Sequence, residues 1–136
     1  MSAQDSVIII GGGITGILSA YKLAKEGFSV TLLEAEHVGS GSSSRTAAGI
    51  RQQFSTPASV RAMRFAVNAY TALTTELSLS EPLLVQNGYL FLFDTPKALE
   101  AARARVEMQQ TAGLADVELL ETVALEQKFP WLASGA

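Results

Sequence analysis

Apolar and polar positions change rhythm along the chain, and each change marks an element. Val7-Ile8-Ile9-Ile10 is wholly apolar, β-branched and followed by glycine, a pattern that predicts a parallel strand buried on both faces. From Ile14 to Lys25 the period becomes helical, with Ile17, Ala20, Tyr21 and Ala24 along one stripe and Gly27 as the stop. Val30-Thr31-Leu32-Leu33 predicts a second strand, closed by Glu34. Residues 7–34 therefore form a βαβ unit whose crossover is right-handed.

The rhythm then breaks. Gly39-Ser40-Gly41-Ser42-Ser43-Ser44 is too small and polar for a strand or a stable helix, and Arg45 to Arg51 continues without a strand signal. Thr56-Pro57 opens a helix, as N-cap and first helical residue, and Val60, Met63, Val67, Tyr70, Leu73 and Leu77 carry it to about Leu79. Leu83 to Phe93 has strand chemistry and contains Asn87-Gly88, either a tight hairpin turn, which the local chemistry favours, or a glycine within one long strand. Asp94-Thr95-Pro96 starts another helix, Lys97 to Ala112, ended by Gly113; a short strand at Val117 to Leu120 and a short helix at Thr122 to Lys128 precede Pro130.

Composition narrows the class without naming a function. The 136 residues are 48% hydrophobic and 17% charged, which is globular, and the absence of cysteine excludes a disulfide framework and any thiolate nucleophile. Met1 to Ser6 carries no basic residue, and the first apolar run is far shorter than a bilayer span, so the expectation is a cytoplasmic protein without a membrane segment. The net charge of −3 argues against nucleic acid as a partner. Its placement says more than its sum. Between Glu36 and Glu76 there is no acid, only Arg45, Arg51, Arg61 and Arg64, which points to an anionic ligand near residues 45–64. For Arg61 and Arg64, an ordinary solvated helix face accounts for the pattern equally well.

The glycines carry the chemistry. Gly11-x-Gly13-x-x-Gly16 lies between a strand and a helix, the context in which it binds dinucleotides. Gly11 allows the sharp turn, Gly13 lets the backbone approach a pyrophosphate, and Gly16 lets helix pack on strand. Glu34, at the end of the second strand, is placed to accept hydrogen bonds from ribose hydroxyls and to repel a 2′-phosphate. An adenine dinucleotide follows, FAD or NAD. An NAD domain would continue with a third parallel strand, whereas this chain turns to a loop of small residues with arginines, which favours FAD.

In order, Val7 to Gly16, Glu34, the Ser42-Ser-Ser-Arg-Thr-Ala-Ala-Gly-Ile-Arg-Gln-Gln-Phe54 segment, Gly88-Tyr-Leu-Phe-Leu92 and Phe129-Pro-Trp-Leu132 resemble the FAD-dependent D-amino-acid oxidase superfamily. The likeness is to its sarcosine oxidase, glycine oxidase and dimethylglycine dehydrogenase-like branch, and it reaches only the N-terminal portion of such a protein. The resemblance implies that Gly11, Gly13, Ile14, Thr15 and Gly16 contact the pyrophosphate. It implies Glu34 and Ala35 at the adenosine, and Ser43, Ser44, Arg45, Ala47, Ala48, Gly49 and Ile50 along the rest of the flavin nucleotide. Arg51 takes the place of an arginine that pairs with a substrate carboxylate; a phosphate contact or a surface position are the other readings. His37, just after the adenosine acid, is expected to be an exposed loop residue.

The implied reaction is oxidation of an amino acid or N-methylated amine, with hydride passing from the carbon next to nitrogen to flavin N5. The implied fold is α/β: a Rossmann-like FAD-binding βαβ unit with the following helix, residues 1–82, and the first elements of an α+β substrate domain, residues 83–136. The C-terminal portion of the family pattern is missing, so the implied partners are a small amine or amino-acid substrate and either a complementing C-terminal chain or self-association. The competing expectations are a truncated, non-catalytic nucleotide-binding module and an NAD-binding domain.

Overall fold

The computed structural model describes residues 5–133 and contains β1 (Ser6–Ile10), α1 (Ile14–Lys25), β2 (Ser29–Leu33), a 3₁₀ turn at Ser42–Ser44, α2 (Pro57–Glu76), α3 (Pro96–Thr111), α4 (Thr122–Lys128) and α5 (Pro130–Ala133). Two compact units divide between Gly49 and Ile50. This division is one of packing within each unit.

In the first unit β1 and β2 pair in parallel, with Val7 opposite Val30 and Ile9 opposite Leu32. These four side chains are half-buried on the face that α1 covers, where the close approach of Gly16 to Ile9 seats the helix. The opposite face is bare among the described residues, with Ile8 67% and Ile10 87% exposed. The expectation that β1 is buried on both faces is thus corrected: its composition suits a two-sided core, but only one layer of it lies within residues 5–133.

The second unit holds every buried hydrophobic side chain among the described residues. Val60 of α2 joins Ala112, Leu114 and Val117 in a cluster at the C-terminal end of α3, with Phe54, Val106 and Met108 packed around it. Both long helices begin as their sequences predict. Thr56 Oγ1 accepts from Ser59 N–H and Thr95 Oγ1 from Ala98 N–H, each followed by proline at the first helical position.

α2 stops at Glu76 instead of Leu79. Leu79 N–H donates to Thr74 O and Ser78 N–H to Thr75 O, a Schellman closure in which Ser78 takes φ 50°. A serine occupies the left-handed position usually given to glycine, so the stop carried no residue signal.

Two expected strands are absent. Leu83 to Phe93 and Val117 to Leu120 form no ladder, and Asn87-Gly88 closes no hairpin. The aromatic and β-branched composition is right for a strand, but a strand exists only where a neighbour supplies the other half of its hydrogen bonds, and no described segment does so here.

Candidate dinucleotide site

The site is assembled from backbone. Gly11 N–H donates to Leu33 O at 2.8 Å, extending the β1–β2 ladder to the lip of the turn, and Gly13 is the N-cap of α1. A Cβ at Gly16 would run into the carbonyl of Gly11, so only glycine lets α1 leave the turn at this angle. A Cβ at Gly13 would stand 3.2 Å from Ser43 Oγ, so the missing side chain lets the Ser43 hydroxyl reach in to the Ile14 amide.

The N-terminus of α1 has donors to spare. Ile14 N–H donates to Ser43 Oγ at 2.9 Å and Ile17 N–H closes the first helical turn on Gly13 O, while the amides of Gly13, Thr15 and Gly16 meet no acceptor among the described residues. The first turn of α1 contains no acidic side chain. Unspent amides at the positive end of a helix dipole form an anion site. Since Ser43 accepts from Ile14, its own hydroxyl proton remains free to donate to the same anion.

Glu34 is held beside this turn. Gly12 N–H donates to its Oε2 at 2.6 Å and Glu36 N–H to its Oε1 at 3.1 Å. The Gly12 bond first, then that from Glu36, holds the carboxyl below its ordinary value, with smaller help from Ala35 N–H and the nearby His37 charge; partial desolvation opposes them. The carboxylate is therefore ionised at neutral pH and fixed in direction, with a lone pair left on each oxygen for a ribose hydroxyl. His37 is exposed, in the loop after β2.

A second clasp joins the loop to the turn, where Gly39 N–H donates to Gly12 O at 2.9 Å. Gly12 thus ties Glu34 with its N–H and Gly39 with its C=O, although it is a free position of the glycine pattern. Three consecutive glycines, Gly11 to Gly13, were the one hint that it mattered.

The structure gathers Gly11, Gly13, Ile14, Thr15, Gly16, Glu34 and Ser43 around one turn, with Ala35 next to Glu34. Ser44 bonds back to Ser40 O and Gly41 O, and Arg45, Ala47, Ala48 and Gly49 follow as an exposed segment in which Ala48 takes φ 55°. Ile50 and Arg51 belong to the second unit.

The donors and acceptors at this turn match a dinucleotide: an amide nest for pyrophosphate oxygens, a glycine face for close approach, and an oriented carboxylate for ribose. Comparison with known proteins agrees. The model of the FAD-dependent oxidoreductase (DAO) family matches residues 6–136, and the chain belongs to that family, whose cofactor is FAD.

Among solved structures, L-proline dehydrogenase from P. horikoshii superposes with a TM-score of 0.80 at 33% identity, covering 96% of this chain and 34% of the other. YhfW of Bacillus subtilis (strain 168), provisionally named a Rieske 2Fe-2S iron-sulfur protein, is 53% identical over 50 residues, which are 37% of this chain and 10% of that protein. Gamma-glutamylputrescine oxidoreductase of Escherichia coli (strain K12) is 41% identical over 54 residues, 40% of this chain and 13% of its own length. The chain thus spans about a tenth of these two proteins and about a third of the solved neighbour. No helix among the described residues is long and apolar enough to cross a membrane.

Proposed function

We propose that this chain is the N-terminal, FAD-binding part of an oxidoreductase that oxidises an amino acid or an N-methylated amine. The observation that carries the proposal is the set of unspent amides at Gly13, Thr15 and Gly16 beside a carboxylate whose direction Gly12 fixes, in a chain of an FAD-dependent family. In this reading Gly11, Gly13, Ile14, Thr15 and Gly16 hold the pyrophosphate, and Glu34 and Ala35 hold the adenosine. Ser43, Ser44, Arg45, Ala47, Ala48, Gly49 and Ile50 line the rest of the nucleotide, and Arg51 receives the substrate carboxylate.

FAD, when bound, supplies the two-electron acceptor. The residues of this chain orient and charge the site: α1 amides offset the diphosphate charge, Glu34 sets the register of the ribose, and Arg51 orients an anionic substrate. Residues 83–136 open the substrate domain, whose remaining strands, like the rest of the flavin pocket, come from polypeptide beyond residues 5–133, in the same chain or a complementing one. The family and the names of the solved neighbour and of the E. coli relative support an amine or amino-acid substrate. A cytoplasmic setting belongs to the same reading and rests on the sequence expectation alone.

Titration of the purified chain with FAD, followed by flavin fluorescence, and with NAD, followed by calorimetry, tests the assignment. FAD binds more tightly than NAD, and Glu34→Ala weakens FAD by about tenfold, the size of a lost charged hydrogen bond. Equal affinity of the variant and the parent chain refutes the role given to Glu34, and preference for NAD refutes the cofactor reading.

A further inference from the structure

Arg51 has an unusual environment for an exposed cation. Its guanidinium carbon lies 4.9 Å from the centroid of the Phe54 ring and 5.9 Å from that of Phe91, and Phe91 in turn stacks on Tyr89 at 6.5 Å and 15°. Arg51 makes no hydrogen bond and no ion pair among the described residues, although salt bridges form elsewhere in the same unit, at Arg103–Glu121 and Lys128–Glu118. Its N–H fork is unspent while its charge lies over two aromatic rings. All three residues line a groove of about 760 Å³ within the second unit, with Tyr89, Phe93 and Leu99 adding apolar wall.

This arrangement has a chemical meaning. Rings against a guanidinium remove water from its faces and restrict its plane, while the edge donors stay available. A planar fork with free edges matches a carboxylate, which it binds through two parallel hydrogen bonds. We infer that Phe54 and Phe91 are positioning residues that bracket Arg51 for the carboxylate of a substrate with an apolar body, the body resting on the aromatic wall of the groove. The inference rests on the role proposed above for Arg51 and adds two residues, 37 positions apart in the sequence. It also sets a specificity: a carboxylate is preferred to its neutral amide.

The test uses cyclopentanecarboxylate and cyclopentanecarboxamide, which share an apolar ring and differ in charge, titrated into the whole chain with NMR shift changes as readout. The parent chain binds the carboxylate more tightly than the carboxamide, and Arg51→Gln abolishes the difference. Phe91→Leu, at a half-exposed position that leaves the core intact, weakens the carboxylate about threefold and leaves the carboxamide unchanged. Phe54→Leu does the same where the chain stays folded, and Phe54→Tyr, which keeps the ring, restores the parent value. A merely structural role moves both ligands together, and that outcome overturns the inference, as does absence of carboxylate binding by the parent chain. FAD titration of the same variants separates the two proposals: retained FAD with no carboxylate preference defeats the bracket alone, and lost FAD in the parent chain defeats the cofactor reading alone.

Discussion

The two units hold themselves together by different means. Residues 5–49 bury no hydrophobic side chain fully, and their shape comes from backbone: a parallel ladder, a turn that only glycine can make, and the amides of Gly12, Ile14 and Gly39 reaching across the loop. Residues 50–133 hold the buried core around Val60, Ala112, Leu114 and Val117, yet Leu83 to Phe93 and Val117 to Leu120 form no ladder there. The first unit has its regular hydrogen bonding without a fully buried apolar side chain, and the second joins its helices to a buried core. The lesson is that a nucleotide-binding turn can be completed locally by main-chain chemistry, whereas a core of side chains sets packing without completing a sheet.

Substitutions can break this contrast. Gly16→Ala has the largest expected effect, since its Cβ meets the Gly11 carbonyl; it should cost about 3 kcal/mol in the first unit and abolish FAD binding. Segment-resolved hydrogen exchange should show faster exchange across β1, α1 and β2, with α2 and α3 unchanged. Val60→Ala is the counterpart in the second unit, where lost burial and a cavity should cost about 2 kcal/mol. Exchange should then rise in α2 and α3 while FAD affinity stays within twofold; a large loss of FAD affinity would show that the contrast is too sharply drawn.

The smallest effect is one of pH. The Glu34 carboxyl sits below its ordinary value of 4.5 in the folded chain, so its stabilisation is fully present above that value and fades as pH falls through the lower folded one. Glu34→Gln should flatten the acid limb of the first unit's stability, measured by exchange between pH 5 and 3, and leave that of the second unit alone.

The sequence showed what backbone geometry demands. Gly11, Gly13, Gly16 and Glu34 were legible as neighbours at one turn because that turn tolerates few alternatives, and Thr56-Pro57 and Thr95-Pro96 because an N-cap side chain acts on its own local backbone. What was not legible depends on partners far along the chain. Leu83 to Phe93 has the composition of a strand and no ladder, because composition cannot supply a neighbour. Gln109, 2% exposed, donates to Phe54 O from a helix whose polar run looks solvated, and Arg51 meets Phe91 across forty residues. Ser78 ends α2 through a backbone conformation that its side chain does not announce.

One position in the turn makes the same point in miniature. The glycine pattern treats residue 12 as a wildcard, and a search by pattern would accept any amino acid there. In the folded chain a Cβ at that place would stand 3.0 Å from Glu34 Oε2, so any larger residue presses on the carboxylate that the Gly12 amide holds and shifts it by a few tenths of an ångström. A library randomised at residue 12 and sorted for FAD retention should therefore return chiefly glycine: the spelling of the motif leaves open a letter that its three-dimensional grammar does not.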